Sequence, residues 1–325
     1  MNNYSKEYTI YTPRIHNEQI KKLKINSLLG DITYSFDENC LKSQGLYGVT
    51  FNFFITWNTD FKTGDMNRNI WIKKEVDVNG NGFESINEKT FIDSLLTNEP
   101  QLLKKKAFFD RYELDLSHMV IKKLPLVQPD PDSKVAVKVT YDGSYHTETI
   151  SYDDIKKAIL EYTGSPISMG KPLNYYETEL EKILSQDRNN NQEGKANPAP
   201  FPGDCDLLLY DDNYTCKAII EFKKRTNKGS NIPIADQTIS NFLKQDRIKY
   251  QRLNLLRMYF EKKGNTSIPL LNVFYSVADD EDKNKIKIEE IAPNLTNGKS
   301  NIFTLEDKDI SSNHAHILQE IIKYM

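Results

Sequence analysis

Residues 201–223, FPGDCDLLLYDDNYTCKAIIEFK, constrain the fold of this chain more than any other stretch. Two short apolar runs, 207–210 and 216–222, flank Asp211, Asp212 and Asn213. Such runs joined by Asp and Asn read as a β-hairpin, because these side chains bond their own backbone and tolerate tight turns. A turn centred between Asp212 and Asn213 sets Asp204 opposite Glu221 and Asp206 opposite Ile219, with Asp206 diagonal to Glu221. Side chains two apart on a strand share a face. Asp204, Asp206, Glu221 and Lys223 therefore gather on one side, above an apolar floor of Cys205, Leu207, Leu209, Ala218, Ile220 and Phe222.

Carboxylates a few Å apart disfavour joint ionisation. A divalent cation relieves that repulsion, and Mg²⁺ accepts one or two carboxylates while keeping waters and substrate oxygens in its shell. Lys223 points the same way as Glu221. Metal and ammonium together can acidify a water and neutralise charge on a phosphoryl oxygen. A Glu-x-Lys triplet alone would be a solvated strand end; the preceding Asp-x-Asp and the hairpin make it a chemical candidate.

Gly203-Asp204-Cys205-Asp206 before Leu207-Leu208-Leu209, with Ile219-Ile220-Glu221-Phe222-Lys223, resembles the PD-(D/E)xK nuclease superfamily. The resemblance covers about 170–280. It implies a restriction-endonuclease-like α/β core, a central mixed sheet flanked by helices. It also implies Mg²⁺, with Mn²⁺ as substitute, held by Asp206, Glu221 and the backbone carbonyl of Phe222, and Lys223 activating or orienting water. Asp204 is the alternative to Asp206, since Pro202-Gly203-Asp204 also reads as the first motif. The superfamily often adds a glutamate from a preceding helix, for which Glu177 is the first choice and Glu181 the second. From the helix that follows, Gln245 and Tyr250 match residues placed near the centre in related nucleases, with Lys249 and Gln251 as alternatives. The implied activity is Mg²⁺-dependent hydrolysis of DNA phosphodiesters by an endonuclease of restriction or defence type. A repair or recombination nuclease is the nearest alternative. A DNA-binding or protein-interaction module that keeps the fold without catalysis is the rival of a different class.

Elsewhere the chain sets bounds. Its 325 residues suggest two domains or one elaborated one; the division expected is an N-terminal α+β region over 1–165, for substrate recognition or assembly or as an extension of the core, and a nuclease-like domain over 166–325. Three cysteines, without zinc spacing, fit a reducing, cytoplasmic compartment. No apolar run is long enough to cross a membrane. A net charge of −3 means that DNA, expected double-stranded, needs a local basic surface. Lys224, Arg225 and Lys228, beside the carboxylates, supply one. A homodimer is compatible with this reading.

In the first half, 46–57 and 69–78 read as strands, and Trp57 and Trp71 as core aromatics. Ser85 to Glu88 is a capping box for a helix through Leu96, and a second helix is expected over 99–108. A hairpin is expected over 135–150, followed by a helix capped by Ser151. In the second half, the spacing of Leu173, Tyr176, Leu180, Ile183 and Leu184 predicts a helix over 173–186. The superfamily expects a core strand between this helix and Asp204, but polar 187–199 offers only the short apolar 199–201. A long helix over 236–262 precedes a strand of parallel-sheet character at 269–277. The tail adds a strand at 285–291 and a helix over 312–324.

Overall fold

The structure, a computed structural model, describes residues 8–11, 38–58, 63–78, 83, 88–98, 101–124, 128–164, 179–186, 202–225, 232–276, 280–282, 284–305 and 310–325. In chain order its elements begin with β1 (Tyr8–Tyr11), α1 (Glu38–Ser43), β2 (Leu46–Trp57), β3 (Gly64–Val78), α2 (Glu88–Asn98) and α3 (Leu102–Arg111). They continue with β4 (Asp115–Lys122), β5 (Lys134–Tyr141), β6 (Tyr145–Ser151), α4 (Tyr152–Thr163), α5 (Glu179–Gln186), β7 (Gly203–Asp211) and β8 (Cys216–Arg225). The chain closes with α6 (Ile239–Gly264), β9 (Leu270–Ser276), β10 (Lys285–Ile291), β11 (Asn297–Thr304) and α7 (Ile310–Ile322).

Two compact units divide these elements, and neither is continuous in sequence. Met1–Lys22 with Asn52–Pro202 form the first, and Leu23–Phe51 with Gly203–Met325 form the second. The sequence reading cuts the chain once, after residue 165. Strand β2 carries the chain from the second unit into the first, its residues 46–51 belonging to one and 52–57 to the other.

In the first unit β3 pairs antiparallel with the end of β2 and with β1, and parallel with β4, while β4, β5 and β6 form an antiparallel meander. Parallel neighbours need a crossover, and α2 and α3 supply it between β3 and β4. Phe91, Leu95 and Leu102 of these helices pack against Val120, Val137 and Val139. A separate core joins Trp71, Met119 and Ile121 to Ile155 and Ile159 of α4 and to Leu180, Ile183 and Leu184 of α5. Trp71 is buried edge-on to Phe54, with ring centroids 4.7 Å apart, which matches its reading as a core residue. Ser151 caps α4 through a reciprocal box with Asp154, also as expected.

The second unit contains the strand order β11-β10-β9-β8-β7, with residues 46–51 of β2 beside β7. Strands β7 and β8 are antiparallel, β8 and β9 parallel, and β9, β10 and β11 antiparallel, so the sheet is mixed. Helix α6 is the crossover between β8 and β9. It packs on β7, β8 and β9. A core of Leu207, Leu209, Ala218, Ile220, Leu271, Val273, Ile286 and Ile288 meets Leu41 of α1 and Ile317, Leu318 and Ile321 of α7. Together these elements make the α/β architecture expected from the sequence, a multi-stranded mixed sheet flanked by helices.

The segment 187–201, where a strand before Asp204 is expected, lies outside the described residues. Among the described residues the neighbour of β7 on the side away from β8 is β2, more than 150 residues upstream. Thr50 Oγ1 donates to the Asp206 carbonyl at 2.7 Å across that pairing. Gly48 allows the close approach, since a Cβ there would stand 2.9 Å from Leu207 Cδ1.

Candidate active site

The hairpin forms in a register different from the one expected. Leu207 pairs with Ile220, Leu208 with Ile219 and Leu209 with Ala218, before a bulge that sets Tyr210 against Cys216. Carried one step further, this register places Asp206, rather than Asp204, opposite Glu221. The cause is the turn. Tyr214 adopts the left-handed region at φ 56°, and its N–H donates to the Asp211 carbonyl at 2.9 Å. Asp211 Oδ1 accepts from the N–H groups of Asn213 and Thr215, each at 2.9 Å. One Asp side chain thus organises a longer loop than the two-residue turn assumed, and together with the bulge it shifts the pairing by two residues, so that Asp206 faces Glu221 instead of Ile219. The faces keep their assignment: Leu207, Leu209, Ala218 and Ile220 enter the core, and the polar set faces the other way.

Above that floor Asp206 and Glu221 are 3% and 1% exposed. The Phe222 N–H donates to Asp206 Oδ2 at 2.8 Å, so Phe222 meets the site through its amide. Lys223 Nζ lies 3.0 Å from Glu221 Oε1 and 2.9 Å from Asp246 Oδ2, over the rings of Phe242 and Tyr250 at 5.0 and 5.2 Å. Asp246 reaches it because α6 breaks there, with φ −107° and ψ 16°. One turn later Lys249 enters. Its Nζ stands 2.7 Å from Glu221 Oε1, 3.6 Å from Asp206 Oδ1 and 3.8 Å from Asp204 Oδ2. Tyr250 donates its hydroxyl to Asn272 Oδ1 of β9 at 2.9 Å, pinning this turn of the helix to the sheet.

Burial first, and then the Glu221 charge, push the Asp206 carboxyl well above its ordinary range. Burial acts the same way on Glu221, but Lys249 and Lys223 outweigh it and hold that carboxyl low. Burial disfavours the Lys249 and Lys223 ammoniums; the carboxylates around them more than offset it, and both stay charged.

Of the remaining expected residues that are described, Asp204 stays at the rim of this cluster. Asp204 is a third exposed, one alternate position from Asp206 on β7. Glu177 and Lys228 lie outside the described residues, as do the side chains of Gln245 and of residues 85–87 of the expected capping box. Glu181 belongs to the first unit, where its carboxylate forms a buried ion pair with Lys73. Lys224 is half-buried on the face of β8 opposite Lys223. Arg225 turns to Asp280 and Asp282, with Nη1 at 2.6 and 3.6 Å from their Oδ2 atoms, and donates from Nε to the Ile232 carbonyl at 3.2 Å.

The sequence reading did not single out Asp246, and it held Lys249 only as an alternative to Gln245 and Tyr250. A signal for both was present. Ile239, Phe242, Leu253, Leu256 and Phe260 make one stripe along α6, and Asp246 and Lys249 occupy the two places where that stripe should stay apolar. Charges on a core-facing stripe persist only when partnered.

Among the described residues no group of three or more His, Cys, Asp or Glu side chains is arranged to hold a metal ion. A Mg²⁺ ion needs only one or two carboxylates, and Asp206 with Glu221 provides that number. Three observations fit them to a dication. Glu221 Oε2 is buried without a hydrogen-bond partner among the described residues. Four carboxylates (Asp204, Asp206, Glu221, Asp246) face two ammoniums, leaving the cluster two charges negative when all are ionised. A cationic group, the Lys249 ammonium, already stands between Asp206 and Glu221. No protein-family model matches this chain, and no curated protein matches its sequence.

Proposed function

We propose that this chain is a Mg²⁺-dependent deoxyribonuclease of the PD-(D/E)xK type, with the restriction-endonuclease-like fold in its second unit. The observation that carries the reading is the buried Asp206–Glu221 pair on adjacent strands, with Lys223 two residues beyond Glu221 on the same face. Asp206 and Glu221 would hold the ion, with the Phe222 carbonyl completing the protein's share. When bound, Mg²⁺ supplies Lewis-acid charge for a phosphodiester oxygen and for the attacking water.

The remaining roles belong to the chain. Lys223 is clamped between Glu221 and Asp246, so its charge is fixed in place before substrate arrives. Fixed charge of this kind stabilises a developing anion without reorganisation. Lys244 and Arg247 are exposed on the same stretch of α6, where they can neutralise phosphates flanking the scissile one. The test is Mg²⁺-dependent cleavage of duplex DNA by the wild type and Lys223→Ala. Removing one preorganised charge should lower the rate by ~10²–10³ while leaving DNA binding in place. Duplex binding by the wild type with no metal-dependent cut would instead favour a binding module, whose carboxylates Lys223 and Lys249 neutralise permanently.

A further inference from the structure

Two ammonium groups serve the same buried carboxylate, and they are held differently. Lys223 sits on a strand with an 11% exposed side chain, gripped by Glu221, Asp246 and two rings. Lys249 rises from a helix with a 31% exposed side chain, and it touches all three carboxylates of the hairpin while being locked by none but Glu221. The fewest constraints belong to the lysine that stands beside Asp206 and Glu221, the carboxylates that would hold a dication.

We infer that the Lys249 ammonium is a resident counter-cation, which a divalent ion must displace from between Asp206 and Glu221 before it can bind. This rests on the proposed metal role of those two carboxylates. Two cations cannot share that space: a lysine at 2.7 Å occupies the Glu221 oxygen it faces, and like charges repel across a low-dielectric gap. Displacement turns Lys249 outward along its flexible four-carbon stem. There it meets solvent, or the phosphate of an incoming strand. The protein therefore folds without metal, its buried carboxylates neutralised, and metal entry and phosphate binding support each other through one side chain. Lys223, clamped by Asp246, stays in place throughout.

The experiment is Mn²⁺ binding, followed by electron paramagnetic resonance, to the metal-free wild type, Lys249→Gln and Glu221→Gln. Lys249→Gln should bind Mn²⁺ about tenfold more tightly than the wild type, equivalent to about 1.4 kcal/mol, and Glu221→Gln should lose this binding. Equal affinity in the wild type and Lys249→Gln, with binding lost in Glu221→Gln, overturns the displacement and leaves the metal site standing. Binding that is absent from all three, or indifferent to Glu221→Gln, overturns the metal site and the displacement with it. A second measurement needs no variant. Acylation of the wild type by an amine-reactive ester, read by mass spectrometry, should modify Lys249 several-fold faster with Mg²⁺ than without, while exposed Lys244 is unchanged. A Lys249 rate that Mg²⁺ leaves the same or lowers counts against displacement.

Discussion

Replacing Asp206 with Asn should make the metal-free protein more stable, the reverse of the usual result of removing a charge from a buried ionic cluster. Asp206 is 3% exposed, and its closest ammonium, at 3.6 Å, is shared with Glu221, which it approaches to 2.7 Å. At an effective dielectric of ~20, the Asp206–Lys249 attraction is worth about 4–5 kcal/mol. Repulsion from a carboxylate ~5 Å away across the strand pair takes back about 3 kcal/mol, and desolvating the carboxylate costs several more. The charged form loses on balance, which is why burial and Glu221 lift this carboxyl. Asn keeps an acceptor for the Phe222 N–H and nearly the same volume. The expected gain at pH 7 is about 1–3 kcal/mol, the balance of those terms, or a rise of ~2–4 °C in Tm per kcal/mol. The pH dependence has a definite sign. An Asp whose folded pKa is raised contributes stability that is complete below its unfolded value of 3.8 and is lost as pH rises through the folded value. Glu221, held low, contributes the opposite slope in both chains. Urea denaturation of the two proteins in a chelator, followed by circular dichroism from pH 4 to 8, reads the difference. An Asp206→Asn chain that is less stable at pH 7, or that keeps the wild-type loss of stability above pH 4, refutes the reasoning.

Three further outcomes are expected. Asp246→Ala removes one jaw of the Lys223 clamp; cleavage kcat should fall about tenfold with KM little changed, and stability should drop by no more than ~1 kcal/mol because Asp246 is partly exposed. Glu181→Gln removes the buried partner of Lys73 and should destabilise the first unit by about 3–5 kcal/mol in denaturant titrations, whereas Lys73→Met with Glu181→Leu should recover most of that loss. Tyr214→Gly relieves a side chain in the left-handed region and should raise stability by up to ~1 kcal/mol, seen as a higher denaturation midpoint at unchanged slope.

Much of the second unit was legible because its signals are local. Apolar runs marked β7, β8 and β9, and the largely apolar character of 269–277, with little alternation, pointed to a parallel neighbour, which β9 has in β8. Residues carrying no local signal were missed. Strand β4 begins Asp-Leu-Ser-His, too polar to announce a buried strand, and β11 is a largely exposed edge strand that opens Asn-Gly-Lys-Ser and, among the described residues, pairs with β10. The hairpin register failed because turn length depends on how one residue, Asp211, bonds three successive backbone N–H groups, two through its carboxylate and one through its carbonyl. The candidate site divides in the same way. Its strand residues followed from period two, whereas Asp246 needed a helix break and Lys249 needed the identity of the face it lies on. Strand 46–57 was recognised as a strand, but the neighbour it serves is a long-range fact.

That neighbour sets an order of events in folding. Thr50 and Asp206 are 156 positions apart, and closing a loop of that length costs on the order of 4 kcal/mol plus a constant. During synthesis, residues 46–51 emerge long before β7 exists and must wait, unpaired on that side, while the intervening first unit is made. The second unit can complete its sheet only after most of the chain has left the ribosome, so its carboxylates are assembled late. A fragment starting at residue 165 would carry Asp206, Glu221, Lys223 and Lys249 yet leave the β7 edge bare, an open template for strand addition. Supplying residues 23–51 as a separate peptide should restore solubility to such a fragment.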